Sequence, residues 1–451
     1  VNLRRREFLA LPAAATAAYA ASPGSVIPSA RQLAWHKLET YAFLHFTLNT
    51  FTNKEWGYGD EDPRIFTPDQ FDANAIVDAL KAGGMRAVIL TCKHHDGFCL
   101  WPTKTTEHSI RAATGFRGGK GDVVRELSEA ARKQGLGFGV YLSPWDRNHK
   151  SYGTPEYIQV YREQLRELLT GYGPIFEVWH DGANGGDGFY GGLREKRKID
   201  PRTYYDWPGT WDLVRKLQPN AVIFSDVGPD LRWVGNEKGF ANETCWATYE
   251  PHAPDGSGQP GPGFVLDKEG GTGHRDGSRW MPAECDVSIR PGWFWHEDQN
   301  GKVKTPEQLV DLHFKSVGRG GSFLLNIPPD QRGLLHEADV ASLKAYGRII
   351  RETFAVNRAG KLSLDLVAAA SGDFNVVRIR EDIRLGQRVD AFAVDVWQSG
   401  DWKQLAEGTS IGSCRLIRLP EITRGEKVRL RVLKSSLEPR IAELGLYRLA
   451  S

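Results

Sequence analysis

Several short stretches of this sequence carry side chains that could do chemistry. His45 closes the apolar run Tyr41–Phe46. Lys93-His94-His95-Asp96-Gly97-Phe98 follows another, Ala87–Thr91. Tyr141 lies in Gly137–Leu142, ahead of Ser143-Pro144-Trp145-Asp146. Glu177, Trp179, His180, Asp181 and Gly182 end the run from Ile175, and Asp226 ends the run from Ala221. Glu237 and Glu243 follow in a loop. Aromatic rings stack on the apolar face of a pyranose, and neutral His and Tyr exchange hydrogen bonds with its hydroxyls. Two carboxyl groups can then attack an anomeric carbon and protonate the departing oxygen. A metal site is the weaker reading. His94 and His95 are adjacent, nothing resembles HExxH, and there is no CxxC pair.

These residues need a scaffold that brings strand ends together. The apolar runs, with Ser322–Asn326 as a sixth, alternate with helix-period segments. Asp72–Leu80, Asp122–Gln134 and Pro155–Thr170 are the clearest, with Asp122 at an N-cap, Pro155 near N1, and Gly83, Gly135 and Gly171 past the ends. Strands alternating with helices predict a parallel sheet, and this many units over residues 30–355 predict an α/β fold of the (β/α)8 barrel type. Such barrels carry their chemistry at the C-terminal strand ends, where the residues above fall. The Gly run at Gly182–Gly192 opens no helix, which argues against a dinucleotide site. Lys344–Ala355 reads as the last barrel helix. Over residues 360–451 the pattern turns to short β-rich runs between turn clusters, which predicts a C-terminal antiparallel β-sandwich.

At the strand ends the sequence resembles a known family. Lys93-His94-His95-Asp96-Gly97-Phe98-Cys99-Leu100-Trp101 is similar to the KHHDGF-x-LW segment of α-L-fucosidases, glycoside hydrolase family 29. The likeness continues at Leu44-His45-Phe46, Glu55-Trp56-Gly57, Phe66-Thr67-Pro68, Tyr141-Leu142-Ser143-Pro144-Trp145 and Glu177-Val178-Trp179-His180-Asp181-Gly182. It recurs at Arg232-Trp233-Val234-Gly235-Asn236-Glu237 and Leu324-Leu325-Asn326-Ile327-Pro328-Pro329. The resemblance implies a retaining α-L-fucosidase acting on fucosylated glycans without metal or cofactor. It implies Asp181 as nucleophile and Glu237 as acid/base, with Glu243 and Glu284 as alternatives. It implies His45, His94, His95, Tyr141 and Trp179 in the fucose pocket. Glu55 and Trp56 are candidates for the rim, and Arg290 and Trp293 for the leaving-group side. His180 departs from the family, which usually has an aromatic residue there. The rivals are another retaining hexosidase of this architecture, such as one for α-L-galactosides, and an inactive fucose-binding module.

Composition agrees with a folded carbohydrate-active protein. The 58 Lys+Arg against 56 Asp+Glu leave a net charge of +2, which excludes a nucleic-acid binder relying on bulk basic charge. The 14 Trp, 14 Tyr and 20 Phe suit a large core or a sugar-stacking surface. The five scattered Cys are no disulfide framework; buried free thiols are expected, with a Cys92–Cys99 loop bridge as the alternative. Arg5-Arg6-Glu7-Phe8-Leu9, an Ala-rich run and Ala18-Tyr19-Ala20 predict a twin-arginine export signal over residues 1–21 and a periplasmic or secreted protein. No stretch is apolar for long enough to predict a membrane span.

Overall fold

The computed structural model describes residues 24–226, 228–251 and 267–450. The expected export signal at residues 1–21 lies outside them. Eight parallel strands form one sheet: β1 Thr40–Leu44, β2 Ala87–Lys93, β3 Gly137–Leu142, β4 Glu177–Trp179, β5 Val222–Phe224, β6 Arg232–Trp233, β7 Ala283–Ser288 and β8 Ser322–Asn326. Their order is β5-β4-β3-β2-β1-β8-β7-β6. A single parallel bridge between Phe224 and Leu231 brings the two edges together into a nearly closed barrel. Helices α1 Ala73–Ala82, α2 Val123–Gln134, α3 Pro155–Gly171, α4 Trp207–Leu217, α5 Pro306–Lys315 and α6 Glu337–Phe354 supply the outer layer.

The expected elements form for the expected local reasons. Asp72 and Asp122 accept backbone N–H groups from the first turns of α1 and α2. Val124, Leu127, Ala130 and Ala131 of α2 are buried against the sheet. Gly135 ends α2 in the left-handed region at φ 77°, which a residue with a Cβ adopts only at a cost.

The regular alternation breaks between β5 and β7. Among the described residues, no helix joins β5 to β6, and those between 234 and 282 carry a short helix, Asp267–Thr272, and a two-stranded ribbon. Neither β6 nor β7 was among the expected strands. The first has two residues. The second reads AECDVS, and its inward positions are polar.

In the C-terminal region β9 Val367–Ala369, β10 Phe374–Glu381, β11 Val389–Gln398, β12 Asp401–Gly408, β13 Arg415–Thr423, β14 Lys427–Ser435 and β15 Ile441–Tyr447 form two antiparallel sheets. Their orders are β9-β14-β11-β12 and β13-β10-β15. Val377, Ile379, Phe392, Val394, Val396, Leu430, Leu444 and Leu446 fill the space between them. β12 and β15 were not expected, and β12 is exposed along much of its length. All five cysteines are free and buried, so Cys92 and Cys99 are not bridged.

Candidate active site

A cavity of about 200 Å³ opens at the C-terminal ends of the barrel strands. Sites for drug-sized ligands span roughly 300–1,000 Å³, so this hole suits one sugar ring. His45, just past β1, and His94 and His95 after β2 line one side. Trp179 and Asp181, at and just past the end of β4, form the next part of the wall. Asp226 after β5, Trp233 and Glu237 from β6 and its loop, and Asp286 from β7 complete the circuit, with Trp293 at the mouth.

The histidines are held as neutral hydrogen-bonding groups. Asn326 Oδ1 accepts the backbone N–H of His45 and lies 2.9 Å from His45 Nδ1, so Nδ1 carries the proton and Nε2 is an acceptor. Asn326 Nδ2 donates to Ser288 and to the Trp293 carbonyl, which fixes that amide's orientation. Ser143 donates its hydroxyl to the Trp145 carbonyl and stands 2.6 Å from His95 Nδ1, which must donate to it. His95 Nε2 then faces Asp181 Oδ1 at 4.0 Å. Burial lowers His45 and His95 to about 3 and pulls His94 well below its ordinary value.

Asp181 is positioned by two donors. Oδ2 accepts Tyr141 Oη–H at 2.9 Å and Oδ1 accepts the Ala183 N–H at 2.6 Å. Burial raises its pKa, and these two hydrogen bonds act in the opposite direction. Glu237 shares the cavity. Its pKa is raised, mostly by burial and further by the charges of Asp181 and Glu55, while a hydrogen bond with Trp293 opposes the rise. Gly182 keeps its place for a steric reason: a Cβ there would stand 2.1 Å from Asp226 Oδ2.

The cavity floor is aromatic. Trp179 stacks on Phe224 with ring centroids 4.2 Å apart and lies 5.2 Å from Tyr141. Its indole N–H donates to Glu284 at 2.6 Å. At the rim, Trp56 is 53 % exposed. Glu55 accepts the backbone N–H groups of Trp293 and Phe294 and pairs with His296 at 2.6 Å, tying two loops together.

Four sequence candidates do not line this cavity. Tyr141, expected in the fucose pocket, is fully buried and reaches the site only through its hydrogen bond to Asp181. Glu284 lies beneath the floor, fully buried, where it takes hydrogen bonds from Tyr41 and Trp179 beside Glu177. Glu243 pairs with Arg415 and Arg319 at the junction with the C-terminal region. Arg290 is not on a leaving-group side. It is buried against Asp339 of α6 at 2.8 Å and also donates to Asn300, because a guanidinium out of water needs such partners. Asp339→Ala would strand that charge and should lower unfolding free energy by about 3–5 kcal/mol. Chemical denaturation measures this, and a loss under about 1 kcal/mol would contradict the assignment. His180, beside Asp181, points away from the cavity: it donates to Tyr161 at 2.8 Å and packs on Trp207.

Sequence reasoning missed Asp286 as a cavity residue. A signal was present, since Glu284, Asp286 and Ser288 fall on one face of a strand by alternation.

Comparison with known proteins agrees with this geometry. The family model described as alpha-L-fucosidase matches residues 21–353. Alpha-L-fucosidase 1 of Arabidopsis thaliana is 40% identical over 465 residues, covering 93% of this chain and 87% of its own length. The crystal structure of a glycoside hydrolase family 29 member from an unknown rumen bacterium is 44% identical, with a TM-score of 0.88 over 95% of this chain and 78% of that one. A Ruminococcus gnavus family 29 fucosidase in complex with fucose is 29% identical, with a TM-score of 0.77 over 95% of this chain and 96% of that one. By its motifs, its barrel and these relatives, the chain belongs to the alpha-L-fucosidase family of glycoside hydrolases.

Proposed function

We propose that the protein hydrolyses terminal α-L-fucosides of oligosaccharides or glycoconjugates with retention of configuration, by double displacement. The observation that carries this reading is a monosaccharide-sized cavity in which two of the lining carboxyls, Asp181 and Glu237, stand in unlike surroundings. Asp181 is fixed by two donors that favour its charge. Glu237 is pushed toward its protonated form by burial and by that charge. Asp181 attacks the anomeric carbon and forms a fucosyl ester as the glycosidic bond breaks. Glu237 gives its proton to the departing oxygen. Glu237 then takes a proton from water, whose oxygen attacks the anomeric carbon and returns the Asp181 carboxylate. The neutral imidazoles of His45, His94 and His95 hold the sugar hydroxyls, and the Trp179 face carries the ring.

The test is the anomer released first. Proton NMR of early hydrolysis should show α-L-fucose before mutarotation. Initial β-L-fucose would overturn the retaining mechanism. The relatives' names support fucose as the sugar, since one is called an alpha-L-fucosidase and another is described in complex with fucose.

We also infer export through the twin-arginine route from Arg5 and Arg6. Replacing both with Lys should leave the precursor in the cytoplasm. Undiminished export of that variant would refute this route.

A further inference from the structure

Strand β7 contributes more to the cavity than its sequence suggests. Glu284, Asp286 and Ser288 all turn into the barrel, where they meet Trp179, Trp233 and Asn326 in turn. Glu284 supports the floor from below, and Ser288 helps orient the amide behind His45. Asp286, between them, reaches the cavity itself. It is only 4 % exposed, and its Oδ1 accepts the Trp233 indole N–H at 2.8 Å. An antiparallel bridge between Lys238 and Val287 places the segment bearing Glu237 alongside this end of β7. Asp286 therefore stands on the acid/base wall, with only β8 between its strand and β1, which leads into His45. Among the described residues, that wall's lining includes no Lys or Arg to neutralise it.

We propose that Asp286 is a further substrate-contacting residue, hydrogen-bonding a hydroxyl of the bound fucose with the carboxyl oxygen that Trp233 leaves free. The inference rests on the fucosidase reading above. A buried carboxyl without a cation is costly unless a partner arrives with the ligand. Burial, with the charges of Glu237 and Glu284, holds Asp286 well above the usual carboxylate range. Kept protonated, it can donate as well as accept, as an amide can. It differs in this from Asp181, which must be ionised to attack.

The test is fucose binding by calorimetry, with wild type, Asp286→Ala, Asp286→Ser and Asp286→Asn. Losing one hydrogen bond in a site closed to water should weaken binding by the Ala and Ser variants about 10- to 100-fold. The Asn variant should stay within about threefold of wild type. Among 2-, 3- and 4-deoxyfucose, one should bind wild type with that same loss and bind the Ala or Ser variant no more weakly. This pattern is one a merely structural role would not produce. Unchanged fucose binding in the Ala and Ser variants, an equal loss in the Asn variant, or equal further losses on all three analogues would each overturn the contact. Failure of the wild type to bind fucose at all would overturn the fucosidase reading along with it.

Discussion

Asp181→Ala is expected to lower kcat on an aryl α-L-fucoside by about 10³- to 10⁵-fold. No other carboxyl in the cavity is held as it is, by Tyr141 and the Ala183 N–H together. The variant should nevertheless fold at least as well as wild type. Burial raises the Asp181 pKa in the folded protein. Such a group binds more protons folded than unfolded, so its ionisation subtracts stability as pH rises through the carboxylate range. Asp181→Asn removes that cost, and its melting temperature at neutral pH should match or exceed wild type. Azide gives a sharper check. In Asp181→Ala it can enter from the vacated face and should yield β-L-fucosyl azide from an α-fucoside with a good leaving group. Near-normal hydrolysis by this variant would show that Asp181 is not the nucleophile.

Glu237→Ala is expected to hurt most where the leaving group is poor. Fucosylated oligosaccharides should lose about 10²- to 10⁴-fold in kcat/KM, the usual worth of a positioned general acid. A dinitrophenyl fucoside, which leaves without a proton, should lose little in its first step. Its fucosyl ester then waits for a water that has lost its base. Azide should restore turnover and give α-L-fucosyl azide, opposite in configuration to the Asp181→Ala product. The pH profile follows from the direction of the shift. Glu237 must hold its proton, so wild-type kcat/KM falls on the alkaline side as pH passes through its raised value. The variant should lose that limb. Burial keeps His45, His94 and His95 neutral across the working range, so no limb should track them. Equal losses on good and poor leaving groups would remove Glu237 from this role.

How much of this was legible depended on where each residue's partners lie. His45, His94, His95, Trp179 and Asp181 reach the cavity because each closes or follows an apolar run, and in a barrel such positions converge, whereas Tyr141 stands behind Asp181 and holds it. Glu55, Trp56 and Trp293 were found by motif resemblance and do reach the cavity. The same reasoning misplaced Arg290. Its position just past a strand end fits either a cavity or a buried ion pair, and Asp339, 49 residues away, decides for the pair. Glu243 and Glu284 also sit near the relevant strands. Only their distant partners, Arg415 and Arg319 for one and Tyr41 and Trp179 for the other, draw them out of the site.

By itself, the sequence determined the alternation of strands and helices, the β-rich end and the side chains offered at most strand ends. These follow from local periodicity, caps and turns, which act within a few residues. The tertiary structure alone decided which carboxyls share a cavity, which are spent on buried pairs, and that the polar strand β7 belongs in the barrel wall. A polar side chain's protonation and role are set by the groups around it, and in this fold those groups arrive from strands up to 281 residues apart, as Asn326 does at His45.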